Sequence, residues 1–326
     1  MVRNARPSAA NLNQAAKRQM ITRRDAIRVL SSGSAAAWFA ATQMGLNFSL
    51  APGTFAAAFE DEPTPPLAPE APTSPERLTL IKAFRERSEG LQNKFEARVL
   101  KGELEMPYRL FRPETTGKLP LVVYLHGGGG LGNDNLKQLQ FGNIFGTRLW
   151  LLPENQKRFP CYVVAPQSDS GWVRYNGWDP TEAGLPRVLP GLGEEARLAL
   201  EIIDNLCHEF AIDERRIYIT GNSMGGSGVW HITAERPKLF AAAVACCGGD
   251  TAEDAVASLD TPLWNFHGDA DQSVPVALSR GRITALRRVG GHPLYTEYSG
   301  VDHDGATDLA YTEPALPEWL FSHHRG

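Results

Sequence analysis

Cysteine is scarce in this sequence. The four present are Cys161, Cys207, Cys246 and Cys247. None is spaced as C-x-x-C, which removes the common cysteine-based zinc sites, and nothing in the spacing supports a particular disulfide. Cys246 and Cys247 close the apolar run "FAAAVACC" and read as packing residues of a buried strand. Long apolar runs are missing as well. The most hydrophobic N-terminal stretch, "VLSSGSAAAWFAATQMGLNFSL", is interrupted by Ser31, Ser32, Ser34, Gln43 and Asn47. It is too polar for a helix facing lipid, so no stable membrane anchor is expected. The first 58 residues contain no cysteine to carry a lipoprotein anchor, and their only acid is Asp25. Beyond them it is positive charge that runs short: 26 Lys and Arg face 36 Asp and Glu, a net charge of −10 against −4 for the whole chain. That balance disfavours nucleic acid and anionic membranes as partners.

The segments divide by composition. Residues 1–58 hold seven basic residues, then the mildly apolar stretch, then "TFAAAFE", where Ala56 and Ala58 frame an A-x-A cut site. A basic leader, an apolar stretch and a small-residue cleavage site describe an export signal. The adjacent Arg23 and Arg24 resemble a twin-arginine signal, which implies the twin-arginine export machinery as a partner and a periplasmic or extracellular destination. Residues 59–76, ending in "DEPTPPLAPEAPTSPE", read as a proline-rich linker. Residues 77–326 contain no second linker and no internal repeat, and read as one catalytic domain.

Within that domain short apolar runs alternate with helical periodicity. "LVVYL", "CYVVAP", "RIYIT", "LFAAAVACC", "PLWNFH" and "PLYTEYS" are the expected strands. Helices are expected over "EEARLALEIIDNLCHEF", after Ser223, near Ala252–Ser258 and near Val276–Arg288. Continuous apolar strands alternating with helices predict an α/β fold, with a mostly parallel central sheet flanked by helices. "FEARVLKGELEMPYRLFRP" alternates with period two and predicts antiparallel strands at one edge.

Three residues in chain order point to acyl-transfer chemistry. Gly221, Ser223 and Gly225 form G-x-S-x-G between a strand and a helix, the setting of a nucleophile elbow. A serine hydroxyl needs a base, and the base needs a carboxylate to orient it. Downstream, "WNFHGDADQSVPV" places Asp269 and Asp271 in the loop after a strand, either within reach. "YTEYSGVDHDGA" places His303 in the next loop on the same edge. Of the eight histidines, His303 alone follows the acids in the expected order at a strand end. Asp302 and Asp304 flank it without a second histidine, so no metal is expected there. Upstream, "LHGGGGLG" follows a strand and places bare backbone N–H groups where an oxyanion would develop, with the Met224 N–H as second donor. Gly127, Gly129 and Gly132 also satisfy G-x-G-x-x-G, but the following strand ends in Gln167 where a dinucleotide site wants an acid, so no cofactor is expected.

"LHGGGG", "GNSMGG", "HGDADQSVP" and "GVDHDGA" resemble the α/β-hydrolase superfamily over roughly residues 95 to 326. They are similar to the branch holding the phospholipase/carboxylesterase family, feruloyl-esterase and polyhydroxybutyrate-depolymerase-like esterases, and prolyl-oligopeptidase-like peptidases. The resemblance implies Ser223, Asp271 and His303 as the catalytic triad, with Asp269 as a spacer and Gly128 beside Met224 as the oxyanion donors. It implies cleavage of small-molecule or polymer-linked carboxylic esters, the alternative being a serine peptidase with the same triad. One helix, one strand and a short helical turn separate Ser223 from Asp271, which leaves no room for a large cap domain. In the long stretch "PQSDSGWVRYNGWDPTEAGLPRVLPG", Trp172 and Trp178 are the expected substrate-binding residues, unless they only pack the loop.

Overall fold

The computed structural model describes residues 75–174, 189, 191–249 and 257–326. The export signal, nearly all of the linker, Trp178 and most of the helix expected near Ala252–Ser258 lie outside the described residues. The first described element, helix α1 (Pro75–Ser88), starts inside the expected linker. Pro75 opens it, a position where the missing N–H is no loss, because the first N–H groups of a helix have no partner within it.

Eight strands form one sheet: β1 (Glu96–Leu100), β2 (Met106–Phe111), β3 (Leu119–Leu125), β4 (Tyr162–Pro166), β5 (Ile212–Asn222), β6 (Ala242–Cys246), β7 (Leu263–Gly268) and β8 (Leu294–Tyr298). Their order is β1-β2-β4-β3-β5-β6-β7-β8. The β1–β2 and β2–β4 pairs are antiparallel, and every pair from β4 onward is parallel. This is the α/β-hydrolase arrangement, and among the described residues no cap domain interrupts it.

Among the described residues the remaining α-helices are α2 (Ile144–Arg148), α3 (Pro153–Arg158), α4 (Glu194–Glu209), α5 (Met224–Glu235), α6 (Val276–Arg288), α7 (His303–Ala310) and α8 (Leu316–Ser322). Strand β3 shows why the sheet must be covered on both faces: all seven of its residues are buried. Val122 and Tyr124 face a core shared with Phe84 of α1, Phe145 of α2, Leu309 of α7 and Leu320 of α8. Leu121, Val123 and Leu125 face the other core, shared with α4, Trp230 of α5 and Ile283 of α6. The alternation of side chains along a strand sends successive residues into opposite cores. Helix α4 carries its buried residues Ala196, Ala199, Ile202, Ile203 and Leu206 at helical spacing, as its sequence requires.

Because β5, β6, β7 and β8 run parallel, their C-terminal ends share one edge of the sheet. Ser223 follows β5, Asp271 follows β7 and His303 follows β8 on that edge, where open α/β sheets bind ligands. Helix α5 approaches β3 so closely that a Cβ on Gly225 would stand 2.0 Å from the Leu125 carbonyl oxygen. Backbone cannot retreat as a flexible side chain would. Gly225→Ala is therefore expected to lower unfolding free energy by about 3 kcal/mol, the upper part of the range for overpacking. Urea titration checks this; a variant as stable as the parent would contradict so tight an approach.

Candidate active site

Ser223 sits between β5 and α5 with φ 56° and ψ −123°, a conformation non-glycine residues rarely adopt. Its N–H donates to the Cys246 carbonyl (2.8 Å), and its carbonyl accepts from the Ser227 N–H (3.0 Å), so neighbouring strand and helix hold the turn from both sides. A Cβ on Gly226 would fall 2.5 Å from the Cys246 carbonyl oxygen, so this side of the turn has no room for a side chain either. Met224 is the first residue of α5. Its N–H therefore has no acceptor within the helix and lies at the positive end of the helix dipole.

The carboxylate and imidazole meet. Asp271 Oδ1 accepts from the backbone N–H groups of Ser273 and Val274, both at 2.8 Å, and Oδ2 lies 2.6 Å from His303 Nδ1. Burial by itself would raise the Asp271 carboxyl, but the hydrogen bonds from His267, His303 and the Val274 N–H outweigh it and hold the carboxyl well below its ordinary range. Asp269 does other work: it accepts from the Gly300 N–H (2.6 Å) and the Ser299 hydroxyl (3.1 Å), tying the β7 loop to the β8 loop. His303 was expected in a loop, and here the structure differs. It is the first residue of α7, capped by Asp302, whose Oδ1 accepts from the Gly305 N–H at 2.9 Å. With Nδ1 turned to Asp271, Nε2 is the free nitrogen. Among the described residues no hydrogen bond joins it to the Ser223 hydroxyl, and such contacts commonly close only around substrate. The end of β6 lies between the pair instead: the Ser223 N–H donates to the Cys246 carbonyl, and the Cys247 thiol reaches the His303 carbonyl at 3.6 Å.

Cys247, His267 and Asp271 each offer one ligand atom within 4.8 Å of the others. The set does not suit a metal. Burial, and then Cys246, raise the Cys247 thiol well above its ordinary value, so it rests protonated. His267 and Asp271 already spend their polar atoms on hydrogen bonds.

The glycine loop after β3 is built around a buried histidine. His126 Nδ1 lies 2.8 Å from the Gly127 carbonyl, and Nε2 accepts from the Ser168 N–H at 2.9 Å. The tautomer is thereby set, with the proton on Nδ1. Burial pushes this imidazole down to about 4, against a smaller upward pull from the Gly127 carbonyl. Gly128 opens a short 3-10 turn, Gly128–Gly130, so its N–H has no partner within the turn. Gly127 packs beside Ser223: a Cβ there would stand 3.3 Å from the Ser223 Cβ. Its N–H donates to Asn143 Oδ1 at 2.9 Å, and the Tyr124 hydroxyl links Asn143 (3.1 Å) to Asn222 (2.5 Å), the residue before Ser223. Gln167 bonds the Gly130 carbonyl (3.0 Å) and Asp134 (2.9 Å), so it staples the glycine loop from below.

Of the two readings open for Trp172, substrate contact or packing of the loop, its place in the structure fits packing: it is fully buried, donates its indole N–H to the His126 carbonyl (2.9 Å), and meets the His126 ring edge-on at 5.0 Å. It is a support of the glycine loop. A different aromatic lies exposed beside the glycine loop. Phe141 is 65% exposed with φ 53°, and its Cβ lies 3.6 Å from where a side chain on Gly129 would begin. The adjacent Gly142 would place a Cβ 3.9 Å from both Asn222 Nδ2 and Asp304 Oδ1. Phe141 therefore stands beside the glycine loop, while its neighbour Gly142 faces the residue before Ser223 and the first turn of α7. Nothing in its local sequence marked it, since positive φ at a phenylalanine comes from tertiary packing.

Comparison with known proteins agrees with this fold. The family model described as Phospholipase/Carboxylesterase matches residues 113–308. A poly(3-hydroxyalkanoate) depolymerase of Paucimonas lemoignei is 30% identical over 133 residues, which is 40% of this chain and 28% of that protein. A bifunctional acetylxylan esterase/xylanase of Neocallimastix patriciarum is 32% identical over 71 residues, 22% of this chain and 11% of that protein. The chain thus matches only a minor part of the length of either relative. Among solved structures, a thermostable esterase superposes with TM-score 0.65 at 37% identity, covering 72% of this chain and 64% of that one. A ferulic acid esterase from Anaeromyces mucronatus in complex with ferulic acid gives TM-score 0.50 at 16% identity, covering 70% of this chain and 90% of that one, a likeness of fold.

The buried His126 has a consequence for stability. Unfolded, it titrates near its ordinary 6.5; folded, near 4. The unfolded chain therefore takes up a proton first, and stability falls as pH drops from 6.5 towards 4, then levels off. By pH 5 the loss is about 2 kcal/mol, at roughly 1.4 kcal/mol per unit. Urea unfolding at pH 7.5 and pH 5 should show wild type losing about that much more than His126→Gln. Equal losses would contradict a native imidazole that refuses the proton.

Proposed function

The chain belongs to the phospholipase/carboxylesterase family, and on that premise we propose that it is an exported serine esterase that hydrolyses carboxylic esters through an acyl-enzyme on Ser223. The observation that carries the proposal is the 2.6 Å contact between His303 Nδ1 and Asp271 Oδ2 on the sheet edge that presents Ser223. With Nδ1–H committed to the carboxylate, Nε2 is the lone pair that takes the Ser223 proton as the oxygen attacks the ester carbonyl. Negative charge develops on the carbonyl oxygen, and the N–H groups of Gly128 and Met224, both without helical acceptors, receive it. The imidazolium then protonates the departing alcohol. Water, activated by the same nitrogen, releases the acid and restores Ser223. Asp271 stays ionised throughout, which fixes the ring and stabilises its charged form.

The mouth of the site favours an apolar acyl group. Phe141 and the exposed Leu131 and Leu136 lie along the glycine loop and the segment that follows it. A flat, exposed aromatic held by its backbone offers a stacking face at little entropic cost. Destination outside the cytoplasm rests on Arg23, Arg24 and the small-residue site at Ala56–Ala58.

A panel of p-nitrophenyl, feruloyl and acetyl esters and peptides tests the reading. Ser223→Ala should lower ester kcat by roughly 10⁴-fold or more. Asp271→Ala should be severely impaired, with Asp269→Ala retaining most activity. Ester turnover surviving Ser223→Ala would sink the mechanism, and faster cleavage of peptides than of esters would move the protein to the peptidases. Phe141→Ala should raise KM about tenfold for aromatic esters and leave acetyl esters little changed, since burying an aromatic ring is worth about 1.5–3 kcal/mol. An equal rise for both would remove Phe141 from acyl recognition.

A further inference from the structure

Asp271 is shared by two imidazoles. His303 Nδ1 lies 2.6 Å from Oδ2, and His267 Nε2, from the end of β7, lies 3.1 Å from the same oxygen. His267 Nε2 is also 3.0 Å from the Val274 carbonyl. Both of those neighbours are acceptors without hydrogens, so the Nε2 proton must be present, and it lies between them. On the other side of the ring, Nδ1 is 2.7 Å from the Ser279 hydroxyl of α6, which is itself 3.1 Å from the Gly248 carbonyl after β6. His267 and Ser279 are both fully buried. The ring is gripped at both nitrogens by elements that the sheet holds rigidly. With the ring buried and both nitrogens engaged, no nitrogen is left to take a proton from Ser223.

Resting on the esterase reading above, we infer that His267 is the positioning residue of this site: it holds Asp271 Oδ2 in line with His303 and moderates how strongly that oxygen attracts the catalytic imidazole. Oδ1 is held by two backbone N–H groups, and the His267 hydrogen bond adds a hold on the second oxygen, so both ends of the carboxylate are fixed while Oδ2 faces His303. It also draws charge from Oδ2. Without it, Oδ2 binds the imidazolium form of His303 more tightly, and His303 gives up its proton less readily. The titratable groups around Oδ2 are His303 from α7, Cys247 from the turn after β6, and His267 itself; Asp302 and Asp304 flank His303 along the chain.

Two near-isosteric amides separate positioning from mere support. In His267→Gln the amide nitrogen takes the place of Nε2, and its two hydrogens serve both Oδ2 and the Val274 carbonyl. In His267→Asn the amide stops at the place of Nδ1, keeping Ser279 and losing Oδ2. Active sites are counted by stoichiometric fluorophosphonate labelling of Ser223, and ester kcat/KM is measured across pH per labelled site. The Gln variant is expected to keep its rate within about threefold of wild type, with an unmoved acid limb. The Asn variant is expected to lose about tenfold or more in kcat with KM little changed, and its acid limb should move up by about one unit, the scale of one hydrogen bond to a charged group. Equal rates and acid limbs in the two variants would overturn the inference. Should His267→Asn fail to fold, Ser279→Ala, which frees the far side of the ring, replaces it and should move the limb in the same direction by less; an unmoved limb there also overturns it. Failure of the esterase reading is distinguishable, because it would appear as ester turnover in Ser223→Ala whatever the His267 variants do.

Discussion

The site depends on one backbone contact, the approach of α5 to the end of β3. Ser223 leaves the strand end at φ 56°, which turns its side chain sharply at the start of α5. That conformation is costly and persists because its surroundings over-determine it. Gly225 lies against Leu125, Gly226 against Cys246, and the Ser223 N–H is bound to the Cys246 carbonyl. Closing this turn brings three further features into place. The helix start puts the unpaired Met224 N–H beside the serine, Gly127 comes alongside Ser223 Cβ, and the β6 turn carrying Cys247 meets the backbone of His303.

Electrostatics then divides labour among three histidines that each follow or end a strand. His126 is buried with its nitrogens facing one carbonyl and one N–H, an arrangement only the neutral ring satisfies. It serves as an uncharged post for the glycine loop, with Trp172 packed against its edge. His303 faces a carboxylate that is kept ionised by several donors, which is what an imidazole needs if it is to accept a proton and hold the resulting charge. His267 sits behind that carboxylate. Burial alone would have raised Asp271; the hydrogen bonds reverse the sign, and they come from backbone as well as from side chains.

The fold was largely legible because buried parallel strands leave an unmistakable trace, continuous apolar runs such as "LVVYL" and "CYVVAP" separated by helical periodicity. The candidate site was legible for a related reason: a strand end fixes which edge a following residue occupies, so Ser223, Asp271 and His303 could be assigned to one edge from order alone. The choice between Asp271 and Asp269 is explained by local geometry. Asp271 stands two and three residues before the N–H groups of Ser273 and Val274 that orient it, whereas Asp269 faces the Ser299 and Gly300 turn. The helix start at His303 was readable too, in the Asp302 cap, although a short glycine-containing stretch reads first as loop. The segment from Asn133 to Arg158 carries short turns and helices α2 and α3, with little periodicity to announce them.

By itself, the sequence determined the class of fold, the sheet edge and the identity of the residues gathered there, because strand order and the apolar pattern are local properties repeated along the chain. Tertiary structure alone decided what the aromatics and the polar supports do. Trp172 and Phe141 are both aromatic residues in irregular segments near the glycine loop, yet one is fully buried against His126 and the other stands 65% exposed. Gln167 occupies the position where another chemistry would place an acid, and it ties down a loop from a neighbouring strand. His267 precedes Asp271 by four residues, but its hold on the carboxylate depends on Ser279 and Gly248, which belong to other elements. Contacts of this kind join residues far apart in the chain through directional hydrogen bonds, and no pattern in one strand or helix records the partner that will arrive from another.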